Sequence, residues 1–571
     1  MGSGLPGGQV TFRTMRGTQL SLLPAVTPFP ISRPDDIRGA VFTRRWVVEL
    51  VLDLAGFTPD KDLASFVTVE PSAGDGAFLG PMVDRLLISA RKHGRDIAGC
   101  EDALVAYELD GDSTEKARAM VQMALAAHGV ADLTSRRLAA AWVRCADYLA
   151  DADPVAADFV VGNPPYIRSE EIPEETAAYY RRCFTTMRGR ADLYVAFFEA
   201  ALRQLRDGGV CAFICADRWM RNQYGGALRE MVTAGYSVDV VLEMHEANAF
   251  QDEVDAYPAI TIIRRKPQGA TVVAALGSEG TNSPSLARSI LAGRLAPGVK
   301  RLRVASVDTW FSGDSPWPCQ SPEQLALLRR LEDRFPVLEA NARVGIGVAT
   351  GNDSVFITKD ASLVEPSRLL KLAMAKDLSG GVMQWSGHYL VDPWERDGLV
   401  DLAAYPRLRD YFAAHEVALK KRHTAIKNQR GWYKTIDRVT HSLAGKRKLY
   451  IADIKNVLEP VLDCAESYPH HNLYFVESDV WDLELLGGLL LSLLGQFFVE
   501  SYGVRMRGGY LRFQAQYLRR IRVPEPGSIP ATQASELVAA FRGRDRERAT
   551  AAALVVYGIS RGELEAAIGH R

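Results

Sequence analysis

Between about residues 34 and 268, short apolar runs alternate with amphipathic stretches, and this rhythm restricts the possible folds more than any other feature of the chain. The runs are FVTVE (66–70), ALVAYE (103–108), AWVRCAD (141–147), DFVVGN (158–163), VCAFICA (210–216), VDVVLEM (238–244) and AITIIRR (259–265). Helical patterns such as DSTEKARAMVQMALAAHG and ADLYVAFFEAALRQLRDGG lie between them, the latter closed by a glycine pair that stops a helix. Strands alternating with helices predict an α/β fold, with a seven-stranded, mostly parallel, doubly wound sheet of Rossmann type. Ligands of such sheets bind beyond the carboxyl ends of the strands. The residues that follow each run are therefore the ones to examine for chemistry.

After RRKPQG (264–269) the rhythm breaks into Pro- and Gly-rich clusters, which predicts a second, mixed α+β domain over residues 269–525. Residues 1–33 read as an N-terminal extension, and residues 526–571 as a helical tail. Lys plus Arg (68) and Asp plus Glu (69) balance over 571 residues, so only the distribution of charge can indicate a partner. It is uneven in the second half. From 420 to 455 there are 11 Lys or Arg against 2 acids, interleaved with Trp432, Tyr433 and Tyr450; from 505 to 522 there are 6 arginines and no acid. Basic stretches with interspersed aromatics are the footprint of a nucleic-acid partner.

The first strand runs into EPSAGDGAFL, where Glu70, Pro71 and Ala73 precede a turn made by Gly74, Asp75 and Gly76. Glycines there allow a sharp turn and close approach of a ligand; the Lys-Ser/Thr of a phosphate loop is missing. The second strand ends with Glu108 and Asp110, carboxylates able to accept from a ribose diol. The third ends with Asp147 and Tyr148, an acceptor for an adenine amino group and a ring to cover it. Acidic groups without a basic counterpart suit a nucleoside that carries no phosphate. The fourth strand ends in Asn163, Pro164, Pro165 and Tyr166. Proline cannot continue a central strand, and its rigidity fixes the direction of neighbouring acceptors. The Asn163 side-chain carbonyl and the Pro164 backbone carbonyl can converge on a planar –NH2 group, with Tyr166 as a stacking face.

The order of these motifs resembles the gamma-type, TaqI-like DNA adenine N6-methyltransferases of restriction-modification systems. RGAVFTRRWVVELVLDLAG (38–56) is similar to their opening motif, with Thr43 at the threonine and Arg44 where a proline is usual. EPSAGDGAFL resembles the cofactor loop, YELD the ribose-binding acid, ADYL the adenine-binding pair, and NPPY the catalytic motif. DLYVAFFEAAL (192–202) and AFQDEVDAYPAITII (249–263) resemble two further motifs. The resemblance implies S-adenosylmethionine as cofactor, touched by Thr43, Phe197 and Asn163 as well as by the strand-end residues above. It implies a flipped adenine held between Tyr166 and Phe250, and duplex DNA as the partner. Segments 345–357, 430–438, 448–456 and 508–524 resemble the family's target-recognition domain, which makes Lys420, Lys421, Arg422, Arg430, Trp432, Lys434, Arg438, Lys446, Arg447, Lys448, Arg505, Arg507 and Arg512 candidate DNA contacts.

Other readings stand beside this one. NPPY also occurs in methyltransferases acting on RNA or on a protein glutamine, and a catalytically dead scaffold would serve as a DNA-binding factor. Retention of Asp75, Glu108, Asp147, Asn163, Pro164 and Tyr166 favours an active enzyme. The segments flanking the two domains are too short for a fused nuclease, so a cognate restriction endonuclease or other defence subunit is expected as a separate chain. The seven cysteines form no CxxC or zinc-type spacing, so no metal site and a cytoplasmic setting are expected. The adjacent His470 and His471 read as surface or DNA-contacting residues, and the apolar stretch 483–499 as a buried helix rather than a membrane span.

Overall fold

Each of the seven apolar runs forms a strand: β1 Thr68–Glu70, β2 Leu104–Glu108, β3 Val143–Cys145, β4 Ala157–Gly162, β5 Leu205–Ala216, β6 Ser237–Glu243 and β7 Pro258–Arg264. The computed structural model describes residues 42–568 except 152–155, 252–256, 278–283, 297–298, 300–301, 309–312, 318–321 and 504–509. In it the strands lie in the order 3-2-1-4-5-7-6. The pairs from β3 to β5 are parallel. β7 inserts antiparallel between β5 and β6, its Pro258 opposite Ala216 at the carboxyl end of β5.

β8 Thr271–Leu276 and β9 Leu302–Val307 continue the same sheet beyond β6, giving nine strands among the described residues. The sheet thus runs past residue 268, where the change of sequence rhythm predicts a boundary. β8 is buried throughout and follows β7 without an intervening helix, so the expected strand–helix alternation does not announce it.

Both faces of the sheet are covered, as a mostly parallel sheet requires. Helices Arg45–Ala55 and Leu79–Lys92 bury Val47, Val51, Met82 and Val83 on one face; helix Tyr194–Gln204 buries Val195, Phe198 and Leu202 on the other. The parallel pairing from β3 to β5 sets the carboxyl ends of these strands along one edge of the sheet.

Among the described residues the second half builds a four-stranded antiparallel sheet from Arg343–Ile346, Leu473–Glu477, Arg447–Ala452 and Val461–Cys464, a second four-stranded sheet and a two-stranded one. The tail is helical, and Leu537, Phe541, Ala553 and Tyr557 pack into a core with Leu486, Leu490 and Phe498. The apolar stretch forms two buried helices, Leu483–Leu491 and Leu493–Tyr502, bent by 67°. No single helix among the described residues is long and apolar enough to cross a membrane. Residues 1–33, Arg505 and Arg507 lie outside the described residues.

Candidate active site

The turn after β1 is shaped by two glycines in the left-handed region, Gly74 (φ +53°) and Gly76 (φ +92°), where a side chain is disfavoured. A Cβ on Gly76 would stand 3.2 Å from the Met120 side chain, so that glycine lets the turn pack on helix Gly111–Ala127. A Cβ on Gly74 would meet nothing within 4 Å, so Gly74 faces open space. The Gly74 amide donates to Glu108 Oε2 at 2.7 Å, and the Asp110 amide donates to Glu108 Oε1 at 2.9 Å. Burial raises the Glu108 pKa, opposed by these two hydrogen bonds. Asp110, by contrast, caps helix Gly111–Ala127 through the Ser113 amide at 2.9 Å. Asp75 pairs with Lys116 at 3.4 Å on the half-exposed rim. Beneath the turn, Glu70 is 1% exposed, and burial together with the nearby Glu108 pushes its pKa well up.

Asp147 follows β3. Its two oxygens accept from the Leu149 amide at 2.9 Å and the Tyr180 hydroxyl at 2.7 Å. Tyr148 is buried, stacked on Phe197 with ring centroids 5.6 Å apart, and donates to Gln204 at 2.9 Å. Phe197 and Tyr148 therefore form one aromatic layer beside Asp147, with Phe197 coming from helix Tyr194–Gln204.

The NPPY turn follows β4. Gly162, which sequence reasoning passed over, fits a tight spot there: a Cβ would stand 3.2 Å from both Glu70 Oε1 and Pro71 Cδ, which would have to give way. Asn163 Nδ2 donates to Thr43 Oγ1 at 3.1 Å, and its backbone carbonyl accepts from Ser72 at 3.0 Å. Thr43 thus touches the NPPY turn directly. An antiparallel bridge joins Thr43 to Phe250, and Arg44 donates to Ala249 O from its amide (3.0 Å) and to Phe250 O from its guanidinium (2.7 Å). This accounts for the departure from the usual pattern, because proline has no amide hydrogen for the first bond. The bridge brings the Phe250 ring edge-on to Tyr166, at 6.1 Å and 79°.

Sequence reasoning named thirteen residues as DNA contacts, and the described ones fall into different environments. Lys421, Arg430 and Arg447 are exposed, as are Lys420, Arg438, Lys446 and Arg512. Lys420 pairs with Glu416 and lies over the Trp432 ring; Lys446 faces Glu477 and Asp479; Arg512 pairs with Asp453. Arg438 donates to the Arg396 carbonyl, and Lys434 is part-buried. Arg422 turns inward, donating to the carbonyls of Thr350, Trp432 and Lys434 over the Phe356 ring. Lys448 is fully buried, 2.8 Å from Asp463. His470 corrects the surface reading: it is 3% exposed and 3.2 Å from Asp353, and burial lowers its pKa; His471 is exposed. Charge counting along a sequence cannot separate inward-facing from outward-facing bases.

Residues 146–250 match the Eco57I restriction-modification methylase family. Over 547 residues the chain is 44% identical to Type II methyltransferase M.PaeR7I of Pseudomonas aeruginosa, covering 94% of each chain. It is 43% identical to Type II methyltransferase M.XhoI of Xanthomonas vasicola, covering 93% of this chain and 98% of that one. It is also 38% identical to Type II methyltransferase M.BstVI of Geobacillus stearothermophilus, over 93% and 97%. Among solved structures, the Type IIL restriction-modification enzyme MmeI in complex with DNA shares the fold, with a TM-score of 0.55 at 12% identity, over 92% of this chain and 73% of that one.

Proposed function

The chain belongs to the Type II methyltransferases of restriction-modification systems, and from that premise we propose that it is of the gamma, TaqI-like type and transfers methyl through the Asn163–Tyr166 turn. It is an S-adenosylmethionine-dependent, sequence-specific DNA methyltransferase acting on adenine N6 in duplex DNA. A separate cognate endonuclease is its expected partner, and a DNA substrate supports a cytoplasmic setting.

The strand ends fit the cofactor. Open space over Gly74, the Glu108 carboxylate beside it, and Asp147 next to the Tyr148–Phe197 layer suit an unphosphorylated nucleoside. Glu70, Pro71, Ala73, Asp75 and Gly76 shape that turn, and Asp110 orders the helix behind it. When bound, S-adenosylmethionine supplies an electrophilic methyl group. The single observation that carries the catalytic reading is the Asn163–Thr43 hydrogen bond. With the amide nitrogen donating to Thr43, the side-chain oxygen is the acceptor end. Asn163 Oδ1 and the Pro164 carbonyl then hold the target amino group through its two hydrogens, drawing electron density onto nitrogen and aiming its lone pair. Orientation of this kind, with fixed dipoles, is a main source of rate enhancement. An adenine reaches this turn only by leaving the helix stack, and Tyr166 with Phe250 receives it.

Asn163→Ala is expected to abolish incorporation of labelled methyl into DNA while cofactor and DNA binding persist. Wild-type turnover in that variant would overturn the assignment.

A further inference from the structure

The adjacent histidines of the second half belong to none of the sites assigned above. His470 is buried and His471 exposed, with their rings 4.1 Å apart and tilted by 58°. The segment 347–353 is laid directly against them. Val348 forms a parallel bridge with His470; its amide donates to Pro469 O at 2.9 Å, and the His471 amide donates to Val348 O at 3.0 Å. Gly347 permits this approach, because a Cβ there would collide with the His470 carbonyl. The same segment delivers Asp353, whose Oδ1 accepts from the Thr350 hydroxyl and whose Oδ2 lies 3.2 Å from His470 Nε2.

One donor atom from each of Asp353, His470 and His471 lies within 4.8 Å of the other two. Two imidazoles and a carboxylate are a ligand set for a zinc-class cation. Bonds of about 2.0–2.2 Å at tetrahedral angles set neighbouring ligand atoms about 3.3–3.5 Å apart. The 3.2 Å between His470 and Asp353 is already close to that spacing. His471 is exposed, so its side chain can close the remaining gap by rotation. Nδ1 of His470 is buried and reaches no partner at hydrogen-bond geometry among the described residues; the same holds for Oδ1 of Asn472, two residues on. A metal on Nε2 leaves the ring proton on Nδ1, where a carbonyl oxygen is a usual acceptor.

We propose that Asp353, His470 and His471 bind one divalent zinc-class ion, with water in the fourth position. The ion staples the 347–353 segment to the turn at His470, joining parts of the second half that are 117 residues apart. Asp353 and His471 both lie at the surface, so the ion can enter and leave without unfolding of the chain. The long separation is also why no motif spacing announces the site: two adjacent histidines carry no metal signature until the fold brings a carboxylate to them.

The test uses the full-length chain without a histidine tag, stripped of metal by a chelator. Zinc is titrated by calorimetry and Co2+ is followed by visible absorption in wild type, Asp353→Asn, His471→Ala and the double variant. Both substitutions fall at exposed positions, so the fold should survive them. Wild type is expected to bind one zinc ion per chain, to show the absorption bands of tetrahedral Co2+, and to melt at a higher temperature with zinc than without. Each single variant should weaken zinc binding by about tenfold or more. The double variant should lose the Co2+ bands and the thermal shift. Equal zinc binding in all four proteins puts the ion elsewhere and overturns the proposal. Absence of binding in wild type overturns it too, leaving His470 and Asp353 as a hydrogen-bonded pair.

Discussion

Replacing Thr43 by valine removes one hydroxyl and little else. The side chain is 3% exposed and valine matches its shape, while the backbone bridge to Phe250 and the Arg44 bonds are untouched. What disappears is the 3.1 Å bond from Asn163 Nδ2. A neutral hydrogen bond of this kind contributes about 0.5–1.5 kcal/mol, which corresponds to about two- to tenfold in the population of the held amide relative to freely rotating orientations. With the nitrogen end untethered, the flipped orientation presents NH2 to the incoming NH2 and is unproductive. The expected result is a two- to tenfold fall in kcat, with KM for S-adenosylmethionine held within about twofold. Steady-state incorporation of labelled methyl into an oligonucleotide duplex measures both. A loss confined to KM would make Thr43 a cofactor contact instead. An unchanged kcat in a folded variant would refute the orienting role.

Three further outcomes follow from the same geometry. Gly74→Ala forces a side chain into φ +53°; this should cost about 1–2 kcal/mol of stability. Its methyl also enters the open space over the turn, so equilibrium cofactor binding should weaken by roughly tenfold or more. Glu70 has its folded-state pKa raised, first by burial and then by Glu108, so its contribution to stability is complete below the unfolded value and is lost as pH rises through the elevated folded one. Melting temperature of the free enzyme against pH should therefore fall less on the alkaline side in Glu70→Gln than in wild type. Arg422→Ala strands the carbonyls of Thr350, Trp432 and Lys434 and should destabilise by about 2–4 kcal/mol in denaturant unfolding. Lys421→Ala and Arg430→Ala, both exposed, should leave unfolding unchanged and each reduce the salt slope of DNA binding by about one.

The sheet was legible because a buried strand needs a short apolar run, and each run of the first half became one. The glycine turn and NPPY were legible because left-handed backbone and rigid acceptors demand particular residue types. Contacts between distant segments were not. Nothing local in Thr43 says that its hydroxyl meets Asn163, and nothing in Arg44 says that its amide closes a ladder with Ala249. Asp110 is a different case. It sits directly before a helical pattern, and Ser113 stands at the position whose amide a cap satisfies, so its capping role could have been read locally. Lys448 and Arg422 show the converse, since the partners that turn them inward, Asp463 and three backbone carbonyls, lie elsewhere in the chain.

The ladder between Thr43 and Phe250 also bears on how the enzyme comes into being. Arg44 and Phe250 are 206 residues apart, and contacts so distant in sequence form late, after the intervening loop has been closed. During synthesis, NPPY emerges well before its second aromatic wall, while the threonine that orients Asn163 awaits the strand that holds it in place. A nascent chain halted short of residue 250 would therefore carry the catalytic tetrapeptide but no pocket for a base. Completion of this half, rather than appearance of the motif, is the earliest point at which Thr43, Asn163 and Phe250 can come together.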